Sequence, residues 1–230
     1  MSNQIFWLAS YPKSGNTLLR SILVSLFFTD DGIFSLDKLK NISQFESVNL
    51  VRRNKNIFGN DLNEIGIIAN LYKYMRKLHS KKTLNFKEDF IFLKTHSGLF
   101  EIAGNPFTSE DDCRGIIYIV RDPRDVCVSW SKHIGMSIQE SIDFMINDFS
   151  IQLWPENITN GKDFKNKNRP RSLISSWEKH VTSWTSINWN RPKLIIKFED
   201  LVYQKEDEIK KIINFFEENY KILIQNKEIK

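Results

Sequence analysis

The chain has 230 residues, of which 41% are apolar, and this is enough for one compact domain with a sizeable core. Its 33 basic and 28 acidic residues give a formal charge of +5. Because the basic residues do not cluster into a long run, the charge suits an anionic small ligand and does not require nucleic acid.

Targeting signals and cysteine chemistry give little further information. No apolar run approaches the roughly 18 residues of a bilayer span, and no signal peptide precedes the first strand. We therefore expect a cytoplasmic protein that does not use a membrane. Cys113 and Cys127 lie outside any C-x-x-C pattern, so we expect free thiols and no metal site.

The first element is an apolar strand that ends in a turn of Pro, Lys, Ser and Gly, within residues 7–18. An apolar helix follows at once and is predicted over about residues 16–28. The N–H groups at a helix N-terminus point outward, and the helix dipole favours an anion there. Gly15 permits close approach and Lys13 adds a positive charge. The pattern therefore predicts a phosphate cradle.

Two alternative interpretations of this turn stay open. A Walker A loop has the form G-x-x-x-x-G-K-[ST], with its lysine directly before Ser or Thr, whereas here Asn16 precedes Thr17. This difference weakens the hypothesis of a nucleoside-triphosphate site without removing it. The other interpretation is an ordinary strand-turn-helix with an incidental lysine.

Residues 33–88 mix helical and loop patterns, and the segment contains no internal repeat and no linker. We expect its scattered aromatic side chains to furnish an acceptor pocket. These aromatic residues include Phe34, Phe45, Phe58, Tyr72 and Tyr74.

A short apolar run at residues 90–93 is the next predicted strand, and it ends in titratable side chains. Lys94 and His96 are two residues apart, so they point to the same face of an extended strand. An unperturbed histidine pKa near 6.5 suits proton abstraction near neutral pH. His96 is thus a candidate general base, although a single histidine after a strand is also typical of a structural residue.

Another unbroken apolar run predicts a buried strand that ends before Arg121, and Pro123 fits the first turn of a following helix. Ligands bind beyond the carboxyl ends of parallel strands, so Arg121 can offer its planar guanidinium to a phosphate. Ser129, two helical turns on, can donate its hydroxyl to the same anion. The alternative is a solvated ion cluster of Arg121 with Asp122 or Asp125.

Five weaker patterns complete the chain. A capping box opens a helix over about residues 137–149, and residues 154–171 are typical of a loop or flexible lid. Aromatic residues at helical spacing in 175–184 indicate core packing first and cofactor support second. A strand-like run at 193–201 closes on two acidic residues, and a final helix is predicted over about 206–219.

Four of these segments resemble motifs of the sulfotransferases that use 3′-phosphoadenosine 5′-phosphosulfate (PAPS). Tyr-Pro-Lys-Ser-Gly-x-Thr resembles the loop that holds the 5′-phosphosulfate, and Arg-x-Pro-Arg-Asp-Val-x-x-Ser resembles the 3′-phosphate motif. Lys-Thr-His resembles the catalytic strand, and Phe-Glu-Asp stands where the family carries Tyr-Glu-Asp, with its aromatic against the adenine. The helix at 175–184 also resembles the family's Ser-Trp-x-x-His-Val-x-x-Trp helix. The resemblance extends from residue 6 to about residue 216.

This resemblance implies an α/β fold with a central parallel sheet, helices on both faces and the three-layer architecture of P-loop NTPases. It implies one sulfotransferase-like domain over residues 1–230 that uses PAPS without a metal and releases adenosine 3′,5′-bisphosphate (PAP). His96 is implied as the general base, with Lys13 and Lys94 near the transferring sulfuryl group. The implied donor-binding residues are Lys13, Ser14, Gly15, Asn16, Thr17, Leu18, Arg121, Ser129 and Phe198.

Three departures from the family pattern accompany the resemblance. The family's loop continues with Thr-Thr-Trp, whose Trp lies near the adenine, whereas Leu18 cannot stack. Phe198 keeps the ring of the family's Tyr and loses its hydroxyl. The family's C-terminal segment with Arg-Lys-Gly and Gly-Asp-Trp, which closes over the 3′-phosphate, has no match after Asn219, so we expect the domain to lack it.

The sequence therefore predicts transfer of a sulfuryl group from PAPS to a hydroxyl or amine of a small-molecule or glycan acceptor. We expect no nucleic-acid partner, and the sequence leaves homo-oligomerisation open. One alternative is a P-loop kinase of a small molecule, which magnesium dependence would reveal. The other is a non-catalytic nucleotide-binding module, which would bind PAP without transferring sulfate.

Overall fold

The computed structural model describes residues 4–60, 67–151 and 170–224. Its strands are β1 Ile5–Ala9, β2 Ser43–Gln44, β3 Ile91–Thr95, β4 Glu101–Ile102, β5 Asn105–Pro106, β6 Cys113–Val120 and β7 Lys193–Lys197. Five of them form one parallel sheet in the order β2-β3-β1-β6-β7. The two short strands β4 and β5 pair separately as an antiparallel ribbon.

Helices of very different length connect these strands. A 3-10 helix covers Leu36–Asn41. The α-helices are α1 Asn16–Phe27, α2 Val48–Arg53, α3 Lys55–Phe58, α4 Ile68–Tyr72, α5 Met75–Leu78, α6 Lys81–Leu84, α7 Pro123–Ile134, α8 Ile138–Ile146, α9 Trp177–Thr185, α10 Phe198–Tyr203 and α11 Lys205–Tyr220. The predicted first and last long helices correspond to α1 and α11.

Strand β1 lies in the middle of the sheet, and its side chains alternate between two hydrophobic cores. Ile5, Trp7 and Ala9 face one core, and Phe6 and Leu8 face the other. All five side chains are completely buried. An unbroken apolar strand of this kind is typical of a parallel sheet that is covered on both faces.

The two cores correspond to two layers of helices. Leu23 of α1 and Phe216 of α11 pack in the core that contains Phe6. Met75 of α5 and Trp184 of α9 pack in the core that contains Trp7. Each large apolar side chain buried in this way contributes about 1.5–3 kcal/mol. The predicted α/β architecture, with a central parallel sheet between helical layers, is confirmed.

The carboxyl ends of the strands meet at one edge of the sheet, because all five strands are parallel. In the sheet register, Ala9 of β1 pairs with Thr95 of β3 and with Tyr118 of β6, and Val120 pairs with Lys197 of β7. The segments that follow these strands therefore emerge side by side. They contain the turn at Lys13 and the three residues His96, Arg121 and Phe198.

The predicted acceptor pocket in residues 33–88 is wrong for three of its aromatic residues. Phe45, Phe58 and Tyr72 are no more than 2% exposed and pack in the core around Trp7. They cover the sheet because α2 to α6 are short helices laid across its face, each with an apolar side directed inward. These aromatic rings stabilise the fold and are not available to a ligand.

The capping box at Ser137 is confirmed, since its hydroxyl accepts from the Glu140 backbone N–H and the Glu140 carboxylate accepts from the Ser137 backbone N–H. The helix ends at Ile146 rather than near Phe149, because Asn147 adopts an extended conformation. Cys113 and Cys127 are buried free thiols, as expected. The predicted loop or lid at 154–171 lies, up to residue 169, outside the described residues.

Candidate active site

A cavity of about 390 Å³ opens where the carboxyl ends of β1, β3, β6 and β7 meet. This volume is in the range typical of small-molecule sites. Its described lining residues are Pro12, Lys13, Gly15, Asn16, Thr17, Gln44, Lys94, His96, Arg121, Ser129, Trp130, His133 and Phe198. The structure thus brings most of the predicted site residues to one place, although they come from five separate parts of the chain.

The turn before α1 is shaped by two residues with positive φ. Lys13 has φ +66° and Gly15 has φ +96°. The backbone N–H of Ser14 donates to the carbonyl oxygen of Tyr11 and closes the turn. No side chain of the described residues caps the N-terminus of α1. The first N–H groups of this helix therefore remain available to an anion in the cavity.

Asn16 has a structural task in addition to its place in the cavity wall. Its side-chain amide donates to the carbonyl oxygen of Leu8 and to the Ser10 hydroxyl, both at 3.1 Å. These bonds fix the first turn of α1 to the end of β1. A role of Asn16 in donor binding is thereby limited to its backbone N–H and its unpartnered amide oxygen.

Ser14 and Leu18 are the predicted site residues that the structure does not place in the cavity wall. Ser14 is completely buried, and its hydroxyl has no hydrogen-bond partner among the described residues. Leu18 is half-buried and packs against the core that contains Phe6. Leu18 therefore supports the sheet, and its role in donor binding stays a prediction without a contact to support it.

Arg121 is held against the turn and against an aromatic ring. Its Nη1 donates to the carbonyl oxygen of Lys13 at 3.2 Å, and its guanidinium lies 4.4 Å from the centroid of the Phe198 ring. Its contact with the exposed carboxylate of Asp125 is looser, at 3.8 Å. The Arg121 Nε is buried without a hydrogen-bond partner among the described residues.

Glu199 organises the turn after Arg121, and the sequence interpretation gave it no role. Its Oε1 accepts from the backbone N–H of Asp122 at 3.0 Å. The Asp122 carboxylate in turn caps α7 by accepting from the backbone N–H of Arg124 at 2.9 Å. The only sequence signal for this arrangement was a pair of acids shortly after a strand-like run.

His96 has a defined tautomer. Its Nδ1 lies 2.8 Å from the carbonyl oxygen of Ser10, and because a carbonyl can only accept, Nδ1 carries the proton. Nε2 therefore keeps its lone pair, and no described residue donates to it. Burial, followed by the charge of Lys94, holds the pKa of His96 well below its ordinary value. The imidazole is thus neutral at physiological pH and available as a base.

Lys94 adds positive charge beside His96. Burial, followed by the nearby positive charge of Arg20, lowers its pKa to about 8, and the buried carboxylate of Glu46 opposes this shift. A lysine with this pKa is still largely protonated at neutral pH. It can neutralise negative charge in the cavity and loses that ability in mildly alkaline solution.

Four described residues line the cavity that were not predicted as site residues, namely Pro12, Gln44, Trp130 and His133. Gln44 lies beside Lys94 in the sheet register, so only the pairing of β2 with β3 reveals it. Trp130 is 1% exposed, and its indole N–H has no partner among the described residues. His133 lies one turn beyond Ser129 on α7, a helical spacing that could have indicated it.

The polar groups of the cavity suit an anionic ligand. The open N-terminus of α1, the Lys13 ammonium and the Arg121 guanidinium all belong to the cavity wall, and Arg121 Nη1 donates directly to the Lys13 carbonyl oxygen. None of the described lining residues is acidic. Within the described residues, no cluster of three or more His, Cys, Asp or Glu side chains is arranged for a metal ion.

No helix in the described part of the chain has the length and apolarity that crossing a membrane requires.

Comparison with known proteins gives the chain a family. The family model described as the sulfotransferase domain matches residues 3–228. The fold is similar to that of a mouse sulfotransferase, SULT7A1, crystallised with PAP, with a TM-score of 0.53 and 19% identity. That match covers 94% of this chain and 58% of the mouse chain, so this chain spans less than two thirds of the mouse protein.

Two other solved structures are less similar in shape. A sulfotransferase from Alicyclobacillus acidocaldarius matches with 13% identity and a TM-score of 0.48, over 94% of this chain and 80% of that one. Retinol dehydratase, crystallised with retinol and PAP, matches with 18% identity and the same TM-score, over 99% and 63% of the two chains. This chain belongs to the sulfotransferase family.

Proposed function

We propose that this protein transfers a sulfuryl group from PAPS to a hydroxyl or amine of an acceptor. The observation that carries the proposal is the position of His96, whose unprotonated Nε2 shares one cavity with Lys13 and Arg121. A base and two anion-binding groups in one cavity are what transfer of a charged group to a protonated nucleophile requires.

The cavity offers complementary groups to both ends of the donor. The N–H groups of the turn and the Lys13 ammonium would bind the 5′-phosphosulfate, and Arg121 with Ser129 would bind the 3′-phosphate. Phe198, whose ring contacts Arg121, would support the adenine side. The fold similarity to a sulfotransferase crystallised with PAP supports this assignment. PAPS supplies the activated sulfuryl group when it is bound.

His96 would take the proton of the acceptor at Nε2, while its Nδ1–H bond to Ser10 keeps the ring in place. Lys94 and Lys13 would stabilise the negative charge that develops during transfer. The acceptor is a small molecule or a glycan, and Gln44 and His133 at the cavity wall are the polar residues left to contact it. We propose the cytoplasm as the location and leave self-association open.

The kinase alternative has less support. A kinase needs an acid to hold its magnesium ion, and Asp122, the acid that follows β6, is already committed to the cap of α7 and to the Arg124 guanidinium. The non-catalytic alternative is distinguished by turnover alone.

Two measurements test the proposal. Titration calorimetry should show binding of PAP and much weaker binding of ATP with Mg²⁺, and PAP should form from PAPS in the presence of a hydroxyl probe such as para-nitrophenol. The His96→Gln variant should keep its affinity for PAP and lose turnover by about 100-fold or more, the scale of general-base catalysis. Preference for ATP, or normal turnover without His96, would overturn the proposal.

A further inference from the structure

The segment that carries His96 is held by buried side chains from distant parts of the chain. The Nε2 of His180 lies 3.1 Å from the carbonyl oxygen of His96, and the indole N–H of Trp184 donates to the next carbonyl oxygen at 2.9 Å. The carboxylate of Glu46 accepts from the hydroxyls of Thr95 and Ser97 on either side of His96. The backbone around the proposed base is therefore fixed from several directions.

The contact between His180 and His96 defines the tautomer of His180. The carbonyl oxygen of His96 can only accept, so the proton of His180 is on Nε2. The other ring nitrogen, Nδ1, then carries a lone pair, and the Tyr118 hydroxyl donates to it at 2.9 Å. Tyr118 and His180 are completely buried, so water does not compete for either bond.

The charge state of these groups keeps the arrangement intact over a wide pH range. Burial lowers the pKa of His180 to about 4 and raises the pKa of the Tyr118 hydroxyl far above its ordinary value. Near neutral pH, Tyr118 remains a donor and His180 remains a neutral imidazole. Neither group changes its protonation state near neutral pH, at which His96 would act as a base.

The His96 ring is also held on its other side. Its Nδ1–H donates to the Ser10 carbonyl oxygen, and the Ser10 hydroxyl accepts from the Asn16 amide. Hydrogen bonds thus reach His96 from β1 through Ser10 and from β6 through Tyr118 and His180. Two fixed points, the ring nitrogen and the backbone carbonyl, determine where the free Nε2 lies.

We propose that His180, oriented by Tyr118, is a positioning residue that sets the place of His96 Nε2 in the cavity. The inference rests on the proposed function, in which His96 takes the acceptor proton. His180 does not line the cavity, so it acts through His96 and not on a ligand. A displacement of about 1 Å in a reacting group can cost roughly 100-fold in rate.

Substitution of His180 separates positioning from general stability. His180→Leu removes the donor to the His96 carbonyl and should lower kcat by roughly 100-fold, with the affinity for PAP unchanged. His180→Gln places an amide N–H near the position of Nε2 and should restore most of the rate. A folded His180→Leu variant with normal kcat, or equal kcat in the Leu and Gln variants, would overturn the inference.

His79 provides a matched control. It is 1% exposed and bonded to Asp112 next to the amino end of β6, at the opposite edge of the sheet. His79→Leu should lower the melting temperature and leave kcat unchanged. A loss of kcat comparable to that of His180→Leu would mean that any buried histidine has this effect, and would refute the specific role.

A second variant and a spectroscopic readout keep the test independent of folding and turnover. Tyr118→Phe removes only the hydroxyl that orients His180, so it serves if His180→Leu fails to fold, with an expected loss of about tenfold in kcat. Nitrogen-15 NMR should report protonated Nδ1 on His96 in the wild type and altered His96 signals in the His180 and Tyr118 variants, but not in His79→Leu. Absence of sulfuryl transfer in the wild type would refute the proposed function, whereas unchanged His96 signals would refute the positioning role.

Discussion

The N-termini of α1 and α7 both lie at the carboxyl edge of the sheet, yet among the described residues only α7 has a side chain that accepts from its first N–H groups. No side chain caps α1, and the chain enters this helix through Gly15 with φ +96°. Helix α7 is capped by the carboxylate of Asp122. The backbone N–H of Asp122 donates in turn to the carboxylate of Glu199. One helix end is therefore open to an external anion, and the other is occupied by the protein's own carboxylates.

In the proposed function, this difference means that the two phosphate-bearing ends of the donor would be bound by different means. At α1 the backbone itself can bind an anion, with help from the helix dipole and Lys13. At α7 the Asp122 carboxylate already accepts from the Arg124 N–H, so in the proposed function the anion is held there by the side chains of Arg121 and Ser129. Substitutions should therefore have different consequences at the two ends.

The largest effect is expected from Gly15→Ala at the open end. A Cβ at this position would lie 2.2 Å from Phe198 Cδ2 and 3.3 Å from Ile119 Cδ1, on a backbone with positive φ. The left-handed conformation costs a non-glycine residue roughly 1–2 kcal/mol, and overpacking adds about 1–3 kcal/mol. Relief of this strain would move the turn, so calorimetry should show a loss of about 100-fold in PAP affinity.

Gly104→Ala is the matched control for this prediction. Gly104 also has positive φ, at +75°, but a Cβ there would meet nothing within 4 Å. This variant should show a comparable backbone cost in its melting temperature and normal affinity for PAP. Equal affinities of the Gly15 and Gly104 variants would show that the turn does not hold the ligand.

A smaller and more selective effect is expected from Arg121→Ala. Loss of a hydrogen bond to a charged group costs about 1.5–3 kcal/mol, or roughly 10- to 100-fold in affinity. The loss should apply to PAP and not to adenosine 5′-monophosphate, which lacks the 3′-phosphate. Lys13→Met should instead weaken the binding of both nucleotides. Two separate subsites would be contradicted if both variants lowered the affinity for both nucleotides equally.

The pH dependence of kcat/KM should show two limits. His96 must be neutral to act as a base, so activity is lost as the pH falls through its pKa, which lies well below 6.5. Lys94 must be charged, so activity falls as the pH rises through its pKa of about 8, by about tenfold per pH unit. Lys94→Arg should remove the alkaline limit, and an unchanged alkaline limit in that variant would assign it to another group.

The smallest effect is expected at the closed end, from Asp122→Ala. Loss of the cap should lower the melting temperature by a few degrees and leave PAP affinity nearly unchanged. Bonds from Arg124 lower the pKa of Asp122 to about 2, so its stabilising effect should be complete above the ordinary carboxyl pKa and should be lost as the pH falls from there through about 2. Arg124→Ala keeps the cap and is the control; a large loss of PAP affinity in Asp122→Ala alone would contradict a closed helix end.

The residues that could be predicted are those whose position follows from local sequence and from parallel pairing. Lys13, His96 and Arg121 each come shortly after the end of an apolar run, and parallel strands bring such positions to one edge. Their convergence on one cavity therefore needed only the fold class.

The residues that could not be predicted depend on packing between distant segments. His180 contacts His96 across 84 positions of sequence, and the bond from Glu46 to Thr95 spans 49. The prediction that the aromatic residues of 33–88 line an acceptor pocket failed for the same reason. Periodicity does not distinguish a side chain that faces the sheet from one that faces a ligand. The end of α8, just before Asn147, was predicted less precisely than its start. A capping box marks the first turn of this helix, and no comparable pattern marks its last residue.

At Lys13, the left-handed backbone conformation lowers the stability of the fold, whereas in the proposed function the ammonium group raises the affinity for the ligand. A residue such as Asn tolerates φ +66° at lower cost than lysine, so Lys13→Asn relieves part of a conformational penalty of roughly 1–2 kcal/mol while removing the ammonium. A library screened for thermal resistance alone should therefore enrich variants without this charge. Engineering for higher stability should therefore keep Lys13 unchanged. Selection on melting temperature alone would favour variants that are more stable and bind the nucleotide less tightly.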